Sequence, residues 1–233
     1  MKPKIVGFMV VGKGEAGRYL KASLDEFKRL CDDAVIALND TDPEPEAMVS
    51  SYGYWAYRDD RTWGVSQPLI KDELLRRVAK LRPDWILPLD ADEVFDPAFD
   101  RAALETLAST KAMGYYFYIV NLWNDPEHYC PSISFWNIRF YRFAPEQGMS
   151  FLKRNVHCGL APPFAYHYGR HAPFHIRHYG LKDPEDRRRK VERYAQYDPR
   201  GDKVGIGGYY EALKETRSGA TYDGAALQAK VEA

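Results

Sequence analysis

Residues 83–95 read PDWILPLDADEVF. Trp85 to Leu89 is an apolar run of strand length, and it stops in three carboxylates, Asp90, Asp92 and Glu93. Taking a carboxylate out of water without a partner costs several kcal/mol, so such a cluster faces water or a cation. On an extended chain Asp90 and Asp92 point to the same side. Two hard oxygen donors placed there suit Mg²⁺ or Mn²⁺, which also accept diphosphate oxygens and water. The alternative is a solvated turn in which Asp92 caps the next helix.

Outward from this stretch, the first hundred residues alternate between two periods. Lys4–Val11 (KIVGFMVV) is continuously apolar, as in a strand buried on both faces. Glu15–Leu30 places Tyr19, Leu20, Leu24, Phe27 and Leu30 at helical spacing. Ala34–Leu38 reads as a second strand ending at Asn39-Asp40-Thr41-Asp42, and Tyr52–Tyr57 as a third. Pro68–Leu81 reads as a helix with proline near its start. This alternation predicts βαβ units and an α/β fold with a mainly parallel central sheet flanked by helices. Ligands of such sheets bind beyond the carboxyl ends of the strands, which are here Gly12-Lys13-Gly14-Glu15, Asn39–Asp42 and Asp90–Glu93.

Residues 101–233 differ in texture. Gly114–Trp123 and Ser134–Phe143 are aromatic and β-prone. Asn124–Ser132 and Gly159–Ala172 read as loops, and Asp183–Tyr197 and Tyr209–Arg217 as helices. With no repeat and no long linker, the chain is expected to be one domain over 1–233, in two halves, 1–100 and 101–233.

The 33 basic and 33 acidic residues cancel, so the excess of positive charge that nucleic-acid binding needs is missing. The one dense basic run, Arg187-Arg188-Arg189-Lys190, reads as a solvated helix face, or else as a patch for anionic substrate or for peripheral membrane contact. Cys31, Cys130 and Cys158 are too scattered for a disulfide framework or a Cys-x-x-Cys site. With no signal-peptide plan and no membrane-length apolar run, a cytoplasmic location is expected. The 17 tyrosines and 5 tryptophans must largely fill the core, although such rings also stack on sugars.

The segment DWILPLDADEVF resembles the Asp-x-Asp region of family 2-type glycosyltransferases with the GT-A fold. Glu15 with Arg18-Tyr19-Leu20 resembles the family's opening after the first strand, with Gly14 in place of the usual Asn. Asn39-Asp40-Thr41-Asp42 resembles its acidic second-strand end, and Ile138–Arg142 a late Arg-x-x-Arg strand. His178-Tyr179-Gly180, with Asp183–Arg187 and Lys190, resembles a C-terminal segment of a subset of the family. The likeness runs over residues 4–198 in the expected order. It implies a metal-dependent transferase that moves a sugar from a nucleotide-diphosphate sugar to a carbohydrate, lipid-linked or protein acceptor. Asp40 would meet the ribose or base, Asp90 the ribose or metal, Asp92 the metal, and His178 would be a third metal ligand; Glu15 remains in the nucleobase loop.

The chemistry requires charge stabilisation on the departing diphosphate, by Mn²⁺ or Mg²⁺ and by Arg139, Arg142 or Lys71. It also requires a base beside the acceptor hydroxyl if the configuration inverts, for which Glu93, Asp125, Glu127 and His157 are candidates. A rival reading takes Gly12-x-Gly14-x-x-Gly17 and the later Asp40 as the fingerprint of an NAD(P)-binding oxidoreductase. A third is a non-catalytic sugar-binding protein of the same fold.

Overall fold

The computed structural model describes residues 2–151, 158–197, 212–213 and 219–224. Four parallel strands form its centre: β1 (Ile5–Val11), β2 (Asp33–Asn39), β3 (Trp55–Asp59) and β4 (Trp85–Pro88), in the order β3-β2-β1-β4. Helices α1 (Leu20–Leu30), α2 (Pro43–Ser51) and α3 (Trp63–Lys80) connect them. β1 shows why the run is apolar throughout. Ile5, Met9 and Val11 pack with Leu20, Leu24 and Phe27 of α1, while Val6 and Phe8 pack with Ile70, Leu74 and Val78 of α3. The alternation of a strand thus feeds two cores. Gly7 has no room for a side chain, because a Cβ would sit 2.6 Å from the Phe27 ring.

The sheet continues through β5 (Glu93–Phe95), β6 (Gly114–Trp123), β7 (Asp125–Tyr129), β8 (Phe135–Arg142), β9 (Gly169–His178) and β10 (Ala220–Thr221). Helices α4 (Arg101–Ala108), α5 (Pro163–His167) and α6 (Pro184–Tyr197) lie among and after them. β8 is antiparallel to both β4 and β6, so β6 runs with β4, and β9 is parallel to β6. Hence β1, β2, β3, β4, β6 and β9 all point one way and deliver their carboxyl ends to one rim.

β4 and β8 pair only at Trp85↔Arg142 and Ile86↔Tyr141. Leu89 N–H turns to Phe8 O on β1, so the next position facing β8 is Pro88, which has no N–H to give. The strands part there, and Arg139 reaches into the gap. The aromatic residues of the second half are mostly core: Phe95, Phe99 and Phe117 meet at 4.7–5.3 Å, and Trp85 stacks on Phe140 at 4.4 Å.

Several boundaries differ from the sequence reading. α1 begins at Leu20, because residues 12–19 form turns, and α3 begins at Trp63 with Pro68 inside it. Asn124–Ser132 is not all loop, since Asp125–Tyr129 adds to the free edge at the end of β6. Gly159–Ala172 contains α5 and the start of β9. Most of Tyr209–Arg217 lies outside the described residues. The basic run on α6 is no single patch. Arg187 is buried over the Trp123 ring at 3.8 Å and donates to Leu181 O and Lys182 O, whereas Arg188 pairs with Glu185 and Glu192 and Arg189 with Glu185.

Candidate active site

The carboxylate stretch after β4 is a turn and not an extended chain. Glu93 N donates to Asp90 O at 3.1 Å, and Asp90 N donates back to Glu93 Oε2 at 3.1 Å. This closure sends the two aspartates to different partners, which corrects the expectation that they share one side. Asp90 is half-exposed and accepts from Arg139 Nη2 at 3.3 Å. Asp92 lies beside His178, with Oδ2 3.3 Å from Nε2, and its backbone oxygen accepts from Tyr179 N at 2.8 Å. Among the described residues, no three His, Cys, Asp or Glu side chains converge as a ready metal cage. Nor does Asp92 cap a helix: α4 is capped by Asp100, which accepts from Ala103 N at 2.8 Å.

Glu93 is 1% exposed and Arg139 4%, counting side chains. Arg139 donates to it through Nε at 2.7 Å and Nη2 at 2.6 Å. The sequence reading made Glu93 a possible base and Arg139 a phosphate ligand; the structure joins them in a buried pair that holds the turn. Lys71, also expected at phosphate, is buried and donates to Cys158 O and, at 3.4 Å, to Gly159 O; burial pushes its ammonium pKa down. Arg142 stands opposite Trp85, at the far end of β4 from Asp90. Its guanidinium donates to Ala112 O and Thr110 O and covers the Trp85 ring, which removes it from the rim.

His178 ends β9 opposite Asn121 of β6. Its Nδ1 donates to Asn121 Oδ1 in a short contact, leaving Nε2 towards Asp92. A carboxylate facing a bare imidazole nitrogen is repulsive, so a cation belongs between them, either a proton on Nε2 or a metal ion. One carboxylate and one imidazole would fit Mn²⁺ or Mg²⁺ as a two-ligand site. Gly180 makes the approach possible, since a Cβ there would collide with Asp92 Oδ2 and lie 3.0 Å from His178 Nε2. Burial pushes the Asp92 carboxyl up, but the charge and hydrogen bond of His178, with Lys190 and Arg18, hold it well below the usual carboxylate range.

The loop after β1 completes this side of the rim. Glu15 is largely buried, Oε2 has no hydrogen-bond partner among the described residues, and Oε1 lies 3.6 Å from Arg18. Burial and the Asp92 charge push its pKa up to about 7 against Arg18, Arg193 and Lys190. α6 closes over the loop: Arg18 pairs with Asp186 at 2.6 Å, and Tyr19 Oη donates to Asp183 at 3.0 Å. Asp40 is exposed just beyond β2 with φ +50°, in the left-handed region that Asp tolerates. Asn39 secures that corner by donating to Asp59 O and Arg61 O, both at 2.7 Å.

Asp125 follows the end of β6 and accepts from His128 Nδ1 at 2.8 Å; Glu127 is exposed on the same hairpin. His157 lies outside the described residues. The glycine fingerprint does not lead straight into a helix: Gly17 stands three residues before α1, within a run of turns, so the strand–loop–helix junction expected of a dinucleotide loop is not formed. The missed member of the site is Asn121, and Gly180 and Arg139 have roles that their motifs did not disclose; a lone amide in an apolar strand was the only trace of the first.

No protein-family model matches this sequence, and no curated protein matches it either. Its likeness is to solved structures. S. aureus TarS 1-349 superposes with a TM-score of 0.51 at 8% identity, covering 91% of this chain and 69% of that one. The same TarS fragment in complex with UDP gives 0.52 at 9% identity, with the same coverage. The complex with UDP-GlcNAc gives 0.51 at 10%, covering 90% of this chain and 72% of that one. The longer TarS chain gives 0.50, and this protein spans 44% of its length. At these identities the likeness speaks for fold, and it agrees with the parallel βαβ half and the rim built here. The chain shares its GT-A-like α/β fold with these structures.

Proposed function

We propose that this protein is a metal-dependent glycosyltransferase that moves a sugar from a nucleoside-diphosphate donor to a hydroxyl-bearing acceptor. One observation carries the reading: Asp92 Oδ2 and His178 Nε2 face each other at 3.3 Å on the rim where Glu15 and Asp40 also lie. A similar fold holds UDP and UDP-GlcNAc in TarS.

Asp92 and His178 would hold Mn²⁺ or Mg²⁺, which supplies Lewis-acid stabilisation of the diphosphate leaving group when bound. Asp40 would meet the ribose or base, and Asp90, held by Arg139, the ribose or sugar. Lys190 and Arg193, whose charges act on Glu15 from α6, would add positive charge for the phosphates. If the configuration inverts, the acceptor proton passes to Asp125 or Glu127, both accessible on the β6–β7 hairpin; Glu93 is sealed by Arg139. The acceptor is a carbohydrate, a lipid-linked sugar or a protein. No described helix is long and apolar enough to cross a membrane.

Thermal unfolding with UDP and GDP, with and without Mn²⁺, tests the reading. We expect nucleotide to raise the midpoint only when metal is present. A response to NAD(H) with none to nucleotide and metal would overturn it. Donor binding without turnover on any acceptor would leave a sugar-binding module.

A further inference from the structure

We infer that Asn121 is a positioning residue that fixes which nitrogen of His178 is offered to the metal, an inference that rests on the metal site proposed above. Asn121 lies within β6, the only amide in GYYFYIVNLW, and it is 1% exposed. A buried amide needs a complete set of partners, and here they settle its orientation. Nδ2 donates to Ile133 O at 2.5 Å, the backbone N–H donates to Ser134 Oγ at 3.1 Å, and the backbone oxygen accepts from Cys130 N at 2.9 Å. Turning the amide over would set carbonyl against carbonyl at Ile133. Oδ1 therefore stays towards His178 Nδ1, and that contact requires Nδ1 to carry its hydrogen. The lone pair of the neutral ring is then on Nε2, the nitrogen 3.3 Å from Asp92 Oδ2. Parallel pairing of β6 with β9 at Asn121↔His178 makes the arrangement a property of the sheet.

An amide that only filled its own hydrogen bonds would affect stability and leave metal affinity alone. A positioning amide changes affinity, because a ring free to present Nε2–H cannot bind through Nε2. The test uses the whole protein, ¹⁵N-labelled at histidine, and the variants Asn121→Leu and Asn121→Asp. Long-range ¹H–¹⁵N spectra of the metal-free protein should show hydrogen on His178 Nδ1. Titration with Mn²⁺, followed by the free-ion electron paramagnetic resonance signal, should give a Kd about 10–100-fold weaker for Asn121→Leu. Asn121→Asp loses the bond to Ile133 O and some stability with it, but keeps an acceptor for Nδ1–H and should bind closer to wild type. A neutral His178 with hydrogen on Nε2 alone, or wild-type Mn²⁺ affinity in a folded Asn121→Leu, overturns the inference. If Asn121→Leu does not fold, the wild-type spectrum and the Asp variant decide. A wild-type protein that ignores Mn²⁺ defeats the metal reading instead, and the spectrum still judges Asn121 by itself.

Discussion

Glu93 and Arg139 bind each other through two hydrogen bonds, 2.7 and 2.6 Å long, away from water. Removing one member of such a pair strands the other charge, at a cost of about 3–5 kcal/mol. Arg139→Leu should therefore lower the thermal midpoint by on the order of 10 °C for a chain of this size. Calorimetry would check this, and an unchanged midpoint would remove the pair from its structural role.

Asp92→Asn should keep the fold, because the residue sits on a turn whose closure runs through Asp90 and Glu93. It should lose the metal-dependent part of nucleotide binding. At a ligand concentration of about 100 Kd that stabilisation is about 2.7 kcal/mol, visible as a midpoint rise that the variant lacks.

Gly180→Ala places a methyl group where Asp92 and His178 approach. Overpacking of this kind costs about 1–3 kcal/mol, and the easiest relief is for Asp92 to swing away. Mn²⁺ affinity should fall more than stability does. A variant that binds Mn²⁺ as wild type would show that the approach is not needed.

Glu15 gives the metal-free protein a pH signature. Its folded pKa is pushed from 4.5 up to about 7, so the folded state holds the proton more tightly than the unfolded state. Its contribution is present below pH 4.5 and is lost as pH rises through 7, a fall of up to about 3 kcal/mol at 1.36 kcal/mol per unit. Glu15→Gln should flatten that decline, as urea unfolding at pH 5 and pH 8 would reveal. Parallel slopes in the two proteins would contradict the assignment.

Gly12→Ala and Gly17→Ala should be tolerated within about 1 kcal/mol, since neither Cβ meets another atom and neither residue has positive φ. Chemical denaturation and nucleotide binding would both stay near wild type. Loss of binding in either variant would restore a phosphate role to the glycines.

The parallel half could be read from the chain because its signals are local. β1 is buried on both faces, and the acidic turn follows the strand that carries it. The second half could not be read so far. β9, GRHAPFHIRH, carries a short alternation at Ala172, Phe174 and Ile176, but a proline and five His and Arg residues mask it, and it is a strand because β6 and β5 offer it bonds on both edges. β7, DPEHY, holds turn-forming residues and pairs because β6 runs past β8. At the site, Asp92 and the rim were visible as a carboxylate-ended strand. What stayed hidden was who neutralises whom: Arg139 with Glu93, and Asn121 with His178 across 57 residues, are settled by register and burial.

The clasp of Asp183 and Asp186 on Tyr19 and Arg18 joins positions 164 and 168 residues apart. On a ribosome the sheet's first four strands can pair long before that partner helix has been made. This side of the rim is thus finished only after the parallel sheet, and a nascent chain halted before Asp183 would own the acids of the rim without the helix that gathers them.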